Sequence, residues 1–109
     1  MPPRLAWLSP KAATWLKAEI RYIAQQNPEA AEKIAERLRA ARISLAQHAL
    51  LGRIGEIPGT RRLIIGPYIL TYRVRAQTVE VWAIGHARME NALTPEEARE
   101  PVDYEPPNP

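Results

Sequence analysis

The sequence predicts an α+β domain in which an N-terminal strand and an antiparallel two-helix hairpin precede a three- to four-stranded antiparallel sheet. Three observations predict this fold. Two helix-start signals follow each other closely, apolar residues keep a helical spacing as far as residue 45, and the later segments are short, β-branched and separated by turn residues. One sheet face must be covered, and the hairpin is the only available cover.

The first two elements are a short strand and a helix. Residues 4–8 form an apolar run that fits a strand, although periodicity cannot decide so short a segment. Ser9-Pro10 then combines an N-cap serine with proline at the first helical position, which is a strong helix start. Apolar residues recur at spacings of three and four up to Ile23, so we expect a helix that ends near Gln26.

A second helix follows at once. Asn27-Pro28 repeats the start signal, with Glu29 in the first turn, where a carboxylate is favoured by the helix dipole. The apolar spacing predicts that this helix runs to about Gln47 and that His48 caps it. The connection between the helices is so short that they must form an antiparallel hairpin.

The remaining chain alternates between strands and turns. Residues 61–65, 68–74 and 78–84 are predicted strands, separated by turns at 66–67 and 75–77, which makes an antiparallel meander. In the last strand, alternation places Val79, Val81 and Ala83 on one face and Glu80, Trp82 and Ile84 on the other, and Gly85 is expected to end it. Gly52 and Gly59 are expected to supply positive φ in the preceding turns.

The C-terminus differs from the body in composition. We expect one domain over residues 1–94 and a short acidic, proline-rich tail over residues 95–109. Thr94-Pro95 predicts a short helix to about Arg99, and four prolines between residues 100 and 109 indicate an extended or disordered end.

Composition narrows the classes of function. The chain has no cysteine, which excludes disulfides and cysteine metal sites. No apolar run approaches the length of a membrane span, and the N-terminus lacks the apolar region of a signal peptide, so a cytoplasmic protein is expected. Two isolated histidines predict neither a metal site nor a bound cofactor.

Charge is distributed unevenly along the chain. The net charge is +3, but residues 1–94 carry 14 basic and 7 acidic residues, a balance of +7. The tail carries five acids and one base. A basic body fits an acidic partner, either a nucleic acid or an acidic protein, and it equally fits a solvated surface that keeps the protein soluble.

The aromatic residues are expected to be structural. Trp7 and Trp15 are better candidates for the core than for ligand stacking. Tyr22, Tyr68 and Tyr72 are expected to pack their rings in the core with hydroxyl groups that reach its edge.

The arginines of the meander are the candidate ligand-binding residues. Arg61 begins one strand and Arg73 lies near the end of the next, so the hairpin brings them close together, with Arg62 and Arg75 nearby. Arg53 and Arg88 could join the same face. Guanidinium groups bind phosphate or carboxylate with paired hydrogen bonds. The structural alternative is that Arg61 pairs with Glu56 or Glu80 and stabilises the sheet.

Several local motifs follow one another along the chain. They are Trp7-Leu8-Ser9, the stretch from Tyr22 through Asn27-Pro28-Glu29 to Ala31, Leu51-Gly52-Arg53, the stretch from Pro58 to Leu63, the strand from Tyr68 to Val74, and His86-Ala87-Arg88. In this order they resemble the RelE/ParE toxin superfamily over residues 4 to 90, and they resemble its ParE branch more than its RelE branch.

The resemblance implies a toxin of a type II toxin–antitoxin system, of the kind known as plasmid stabilisation proteins. A ParE-like member would inhibit DNA gyrase without chemistry of its own, and its expected target-binding residues are Arg61, Arg62, Arg73, His86 and Arg88. The alternative is a ribosome-dependent mRNA endoribonuclease of the RelE type, in which Arg61, Arg73, His86 and Arg88 would be catalytic. The strands carry no lysine, and His86 with arginines is a thin catalytic set, so the gyrase hypothesis is favoured.

The resemblance also implies a partner. A ParD-like antitoxin would fold an acidic, amphipathic region onto the toxin, in a groove between the hairpin and the sheet, and the two would form a hetero-oligomer. The residues expected to contact it are Trp15, Arg39, Arg42 and Ile54.

Overall fold

The computed structural model describes residues 4–76 and 78–87 and contains two helices and five strands. Strand β1 is Trp7–Leu8, helix α1 is Pro10–Gln26 and helix α2 is Pro28–Gln47. The strands that follow are β2 (Arg53–Ile54), β3 (Arg61–Ile65), β4 (Tyr68–Arg75) and β5 (Thr78–His86). The α+β class, the two-helix hairpin and the three-stranded meander are thereby confirmed.

The sheet is mixed and has five strands, in the order β1-β5-β4-β3-β2. Strands β2 to β5 pair antiparallel, whereas β1 pairs in parallel with β5. We expected a purely antiparallel sheet of three or four strands. The structure instead has five strands, and one of them, β1, is parallel to its neighbour. Residues 9–77 connect β1 to β5, so the chain can return and place both strands in the same direction. Strand β2 has only two residues and lies within the stretch that we expected to be turns.

Both helices begin at the residues that the sequence indicated. The Ser9 side chain accepts a hydrogen bond from Ala12 N at 2.9 Å, and the Asn27 side chain accepts one from Ala30 N at 3.1 Å. Proline follows each cap, where its missing N–H costs nothing. His48 is the C-cap of α2, as predicted.

The core lies between the hairpin and one face of the sheet. Its buried members come from both helices and from β4 and β5, and they include Ala12, Leu38, Leu45, Leu70 and Val81. Tyr72 is fully buried and Tyr68 is 3% exposed, as expected. Tyr22 is 61% exposed and Trp7 is 42% exposed, so the prediction that these two rings lie in the core was wrong.

Strand β5 departs from strict alternation. The pairing steps from Thr71 with Ala83 to Tyr72 with Val81, which leaves Trp82 as the extra residue of a β-bulge. Because of this shift, Ile84 is buried in the core together with Val79 and Val81, in place of the expected Ala83. The strand also continues past Gly85 to His86.

Two glycines of the turn-rich stretch have different roles. Gly59 has φ +81°, as predicted, and a Cβ there would meet no other atom. Gly52 does not have positive φ. It is buried, and a Cβ there would lie 2.6 Å from Arg62 O and 2.8 Å from the Tyr72 hydroxyl. Close packing therefore requires glycine at position 52.

Neither helix α1 nor helix α2, the two helices in the described part of the chain, is long and apolar enough to cross a membrane. The predicted helix from Thr94 to Arg99 and the proline-rich end lie outside the described residues.

Candidate functional site

The strand register divides the side chains of the sheet between two faces. Directly paired residues point to the same face, and neighbours along a strand point to opposite faces. Arg61 is paired with the core residue Tyr72, so its side chain points to the face that carries the helices. Arg62 is paired with both Arg53 and Thr71, so these three point the other way. We call this second side the helix-distal face.

The helix-distal face is rich in arginine. Arg73 lies two residues beyond Thr71 on β4 and Arg75 two residues further, so both belong to this face with Arg53 and Arg62. Arg53 and Arg75 are exposed, and Arg62 and Arg73 are partly buried. Arg53 and Arg62 are direct cross-strand partners of the same charge, and like charges directly opposite each other repel. The face is therefore electrostatically suited to an anionic ligand.

One carboxylate on this face already has an ionic partner. Glu80 is 1% exposed, and its Oε1 accepts a hydrogen bond from Arg73 Nε at 3.0 Å. The two residues are paired across β4 and β5, and Trp7 of β1 is the partner of Glu80 on the other side. A buried carboxylate needs a charged partner, so Arg73 holds the sheet together as well as contributing charge. The suggested pairing of Arg61 with Glu80 is therefore wrong.

Arg61 and Tyr72 instead hold the segment that connects α2 to β2. The Tyr72 hydroxyl donates to Ala49 O at 2.9 Å and accepts from Gly52 N at 2.7 Å. Arg61 donates to Gly52 O at 2.8 Å. These bonds explain the close packing at Gly52, and they use Arg61 in the fold on the face opposite Arg62 and Arg73.

His86 belongs to an aromatic cluster at the opposite end of β4. Its Nε2 lies 3.2 Å from Oε2 of Glu19 on α1, and the Tyr68 hydroxyl donates to the same oxygen at 2.8 Å. The Trp15 ring packs edge-on against the rings of Tyr68 and His86, with centroids 5.8 and 5.3 Å apart. Burial, and then the hydrogen bond to Glu19 and its charge, raise the pKa of Tyr68 to about 12.

The residues predicted to bind the target therefore do not form one cluster. Arg62 and Arg73 share the helix-distal face, whereas Arg61 and His86 lie on the helix side, near opposite ends of β4. Alternation along β3 separates Arg61 from Arg62. Arg88 lies outside the described residues.

The residues predicted to bind the antitoxin are also dispersed. Trp15 packs against the core, and Arg42 Nε donates to Ala6 O at 2.8 Å. Burial, and then the charge of Arg39, lower the pKa of Arg42. Arg39 is exposed, and Ile54 is 79% exposed on β2, at the edge of the sheet farthest from β1. The four residues lie on three different elements, α1, α2 and β2.

A shallow groove lies between α2 and the β3–β4 turn. It is lined by Ile34, Arg37, Leu38, Ile65, Pro67 and Tyr68. The Arg37 guanidinium lies over Gly66, close to where a Cβ would stand. Sequence analysis missed Arg37, although its position next to the apolar stripe of α2, three residues after Ile34, could have indicated it.

The chemistry available on the helix-distal face is limited. The Tyr72 hydroxyl and the His86 imidazole, two groups of a kind that can transfer protons, lie on the other side and are hydrogen-bonded or ion-paired there. Glu80 is buried against Arg73. Among the described residues, no three His, Asp or Glu side chains gather as a metal ion would require. The guanidinium groups of this face suit an anion, and neither Tyr72 nor His86 lies on it as a proton donor or acceptor.

Comparisons with known proteins agree with this architecture. Residues 7–91 match the family model for the ParE toxin of the type II toxin–antitoxin system parDE. Y4kP of Sinorhizobium fredii, named as a candidate toxin, is 35% identical over 71 residues, which cover 63% of this chain and 73% of the relative. Toxin RelE2 of Caulobacter vibrioides is 35% identical over 66 residues, 61% of this chain and 75% of its own.

A solved structure has the same fold. A chain from the chromosomal ParDE toxin–antitoxin system of P. aeruginosa superposes with a TM-score of 0.61 at 24% identity, covering 75% of this chain and 96% of the other. At this level of identity the similarity concerns the arrangement of helices and strands.

Proposed function

This chain belongs to the ParE toxin family of type II toxin–antitoxin systems, and on that premise we propose that it inhibits DNA gyrase and is neutralised by a ParD-like antitoxin. In this proposal the toxin acts by binding, in the cytoplasm, and carries out no reaction of its own. The helix-distal face provides Arg62 and Arg73 as target contacts, together with Arg53 and Arg75 beside them. Arg88 completes the proposed set.

One observation carries the choice of target. The cations of the helix-distal face are separated by the sheet from the groups that could transfer protons, because Tyr72 and His86 are engaged on the helix side. Cleavage of RNA by its 2′-hydroxyl needs a base and an acid beside the cations, within hydrogen-bonding reach of the reacting atoms. A face of arginines alone fits the binding of an anionic surface better than such a reaction.

The test compares the two target classes directly. Purified toxin is incubated with gyrase and supercoiled plasmid, and separately with ribosomes translating a defined message. We expect loss of supercoiling and accumulation of cleaved plasmid, with the message intact. Cutting of ribosome-bound message that disappears in His86→Ala would instead establish the endoribonuclease alternative.

The groove on α2 supports the proposed antitoxin. Its lining is apolar, and Arg37 lies at its margin, so an amphipathic helix could place apolar residues in the groove and a carboxylate against the guanidinium. Arg39 and Ile54, both exposed, remain proposed contacts at the periphery. Trp15 and Arg42 are proposed to affect antitoxin binding indirectly, by stabilising the fold.

A matched pair of variants tests the groove. Arg37 and Arg39 are both exposed on α2, and only Arg37 lines the groove. We expect Arg37→Glu to weaken binding of the antitoxin encoded beside the toxin by roughly tenfold or more, because a favourable pair becomes a like-charge pair. Arg39→Glu should have a smaller effect. Titration calorimetry measures both, and equal effects would place the antitoxin elsewhere.

A further inference from the structure

We propose that the helix-distal face binds a single strand of nucleic acid, whose phosphates contact the exposed Arg53 and Arg75 and one of whose bases stacks on Trp7. This names the chemical class of the anion for the face that is offered above to gyrase, so its relevance to toxicity rests on the proposed function. The binding itself requires no gyrase and is measured without it.

Trp7 supplies an aromatic ring on this face. It is the partner of Glu80 across β1 and β5, and Glu80 is the partner of Arg73 across β5 and β4. Directly paired residues point to the same face, so Trp7 belongs to the helix-distal face, whereas its neighbour Leu8 packs against the core. The residue is 42% exposed. An exposed ring beside cations is a platform on which an unpaired base of any kind can stack.

Two exposed arginines lie on either side of the row that contains this ring. Arg53 is level with Thr71, two residues before Arg73, and Arg75 is two residues after Arg73, about 7 Å along the strand in each direction. Guanidinium groups bind phosphate with paired hydrogen bonds. Arg62 and Arg73 already have partners in the fold, so they add positive charge to the face and are assigned no phosphate.

The carboxylate in this row does not oppose a phosphate. Glu80 is 1% exposed and is ion-paired with Arg73 at 3.0 Å, so its charge is both covered and neutralised. The body of the chain has the matching balance, with 14 basic and 7 acidic residues among residues 1–94. Exposed cations, a covered anion and an exposed ring together give this face the chemistry of a nucleic-acid surface.

The shape of the face favours a single strand over a duplex. Trp7 lies on β1 and Arg53 on β2, the two edge strands of the sheet, so four strand spacings of about 4.8 Å, or about 19 Å, separate their strands. The major groove of duplex DNA is only about 12 Å wide and admits a helix or a two-stranded ribbon. The bases of a duplex are also stacked on one another, so they offer no open face to the Trp7 ring.

Two matched probes separate base stacking from charge. Fluorescence anisotropy measures binding of the full-length protein to labelled oligothymidylate of about ten nucleotides and to an abasic strand of the same length, which keeps the phosphates and lacks the bases. We expect the oligothymidylate to bind about tenfold more tightly, because stacking adds to the phosphate contacts. Oligouridylate of the same length shows whether RNA or DNA is preferred.

Variants of the ring test its contact with a base. Trp7→Ala should lower the affinity for oligothymidylate about tenfold and leave the affinity for the abasic strand unchanged, whereas Trp7→Tyr, which keeps a ring, should retain most of the binding. Tyr22→Ala removes an exposed ring from α1 and is the control, with no expected effect on either probe. Urea unfolding of the same preparations verifies that each variant is folded.

Variants of the arginines test the phosphate contacts. Arg53→Ala with Arg75→Ala should weaken binding of both probes. It should also reduce the slope of log affinity against log salt concentration by about 1.4, because each phosphate contact on a single strand contributes about 0.7. Arg39→Ala removes an exposed arginine from α2 and should leave the slope unchanged.

Four outcomes would overturn the proposal. Equal affinity of the wild type for the two probes would show a site for any polyanion, and equal losses from Trp7→Ala and Tyr22→Ala would show that the ring has no special role. The others are tighter binding of a duplex than of a single strand, and binding of anionic phospholipid vesicles without binding of oligonucleotide. A protein that inhibits gyrase but binds no oligonucleotide would reject this site and leave the proposed function standing.

Discussion

At the scale of single residues, Tyr72 explains how the turn-rich segment is held. Its ring is fully buried in the core, while its hydroxyl bonds to both Ala49 and Gly52. The expectation that its hydroxyl reaches the edge of the core is confirmed, and this edge is the segment that leads from α2 into β2. Tyr72 thus fixes the backbone at Ala49 and Gly52, on either side of the exposed residues Leu50 and Leu51.

Replacement of Tyr72 by Phe removes this support. Tyr72→Phe should lower the free energy of unfolding by about 1–3 kcal/mol, because it leaves a buried N–H and a carbonyl without their partner. Urea denaturation followed by circular dichroism measures the loss. Tyr22→Phe, at an exposed tyrosine, is the control and should be nearly neutral. Equal stability of the two variants would show that water replaces the hydroxyl.

Tyr68 predicts a dependence of stability on alkaline pH. Its pKa of about 12 lies above the ordinary value near 10, so the folded state holds the phenolic proton more tightly than the unfolded chain. The tighter binding of this proton adds to the free energy of unfolding. That contribution to stability is fully present below pH 10 and is lost as the pH rises towards 12. The stability difference between wild type and Tyr68→Phe should therefore be largest near pH 8 and should shrink above pH 10, by at most ~1.4 kcal/mol per pH unit.

Urea unfolding at pH 8, 9, 10 and 11 measures that difference. Tyr22→Phe again serves as the control, since its difference from wild type should stay flat over the same range. A Tyr68→Phe difference that grows above pH 10 would contradict the raised pKa.

At the scale of elements, the predictable features are the local ones. Both helix starts could be predicted because Ser9-Pro10 and Asn27-Pro28 act within their own first turns. The two-residue strands β1 and β2 could not be assigned, because so short a strand has no periodicity and exists only through its distant partner. The bulge at Trp82 was missed for a related reason, since a shift of register is a property of two strands together.

Ser9 links helix α1 to the sheet, and this predicts unequal effects at the two caps. Its hydroxyl accepts from Ala12 N and donates to Trp82 O at 2.7 Å, and the residue is fully buried. Ser9→Ala should cost about 2 kcal/mol, because it removes both a helix cap and the hydrogen bond to the Trp82 carbonyl. Asn27→Ala, at an exposed cap, should cost about 1 kcal/mol or less.

Thermal or urea unfolding of the two cap variants checks the ranking. Asn27→Ala is the matched control, because it removes a helix cap of the same kind without a second bond. A larger loss for Asn27→Ala would show that the bond from Ser9 to Trp82 contributes little.

At the scale of the whole molecule, the distribution of arginines over the two faces decides their roles. The candidate residues could be selected from the sequence, because residue type and position within a strand are local properties. The sheet face of each side chain could not be predicted in this way. Arg61 and Arg62 are neighbours in the chain, and only the pairing of three strands shows that they lie on opposite faces. The partners of Arg73 and His86 likewise depend on which carboxylates the fold brings beside them.

This division predicts two classes of arginine variant. Arg73→Ala should lower stability by about 3 kcal/mol, because it leaves the buried Glu80 without its cation, and the double variant Arg73→Ala/Glu80→Gln should recover part of the loss. Arg61→Ala should cost less, roughly 1–2 kcal/mol, through the bond to Gly52 O. Arg53→Ala and Arg75→Ala should change stability by only about 0.5 kcal/mol, since both are exposed.

Inhibition of supercoiling should divide these arginine variants in a different way from stability. If the helix-distal face contacts gyrase, Arg53→Ala and Arg75→Ala will weaken inhibition of supercoiling while the protein stays as stable as the wild type. Arg61→Ala will retain inhibition per folded molecule, because its side chain lies on the other face and acts on the fold. Unfolding curves and supercoiling assays on the same preparations make the comparison. Full inhibition by the Arg53→Ala/Arg75→Ala double variant would place the target on another surface of the toxin.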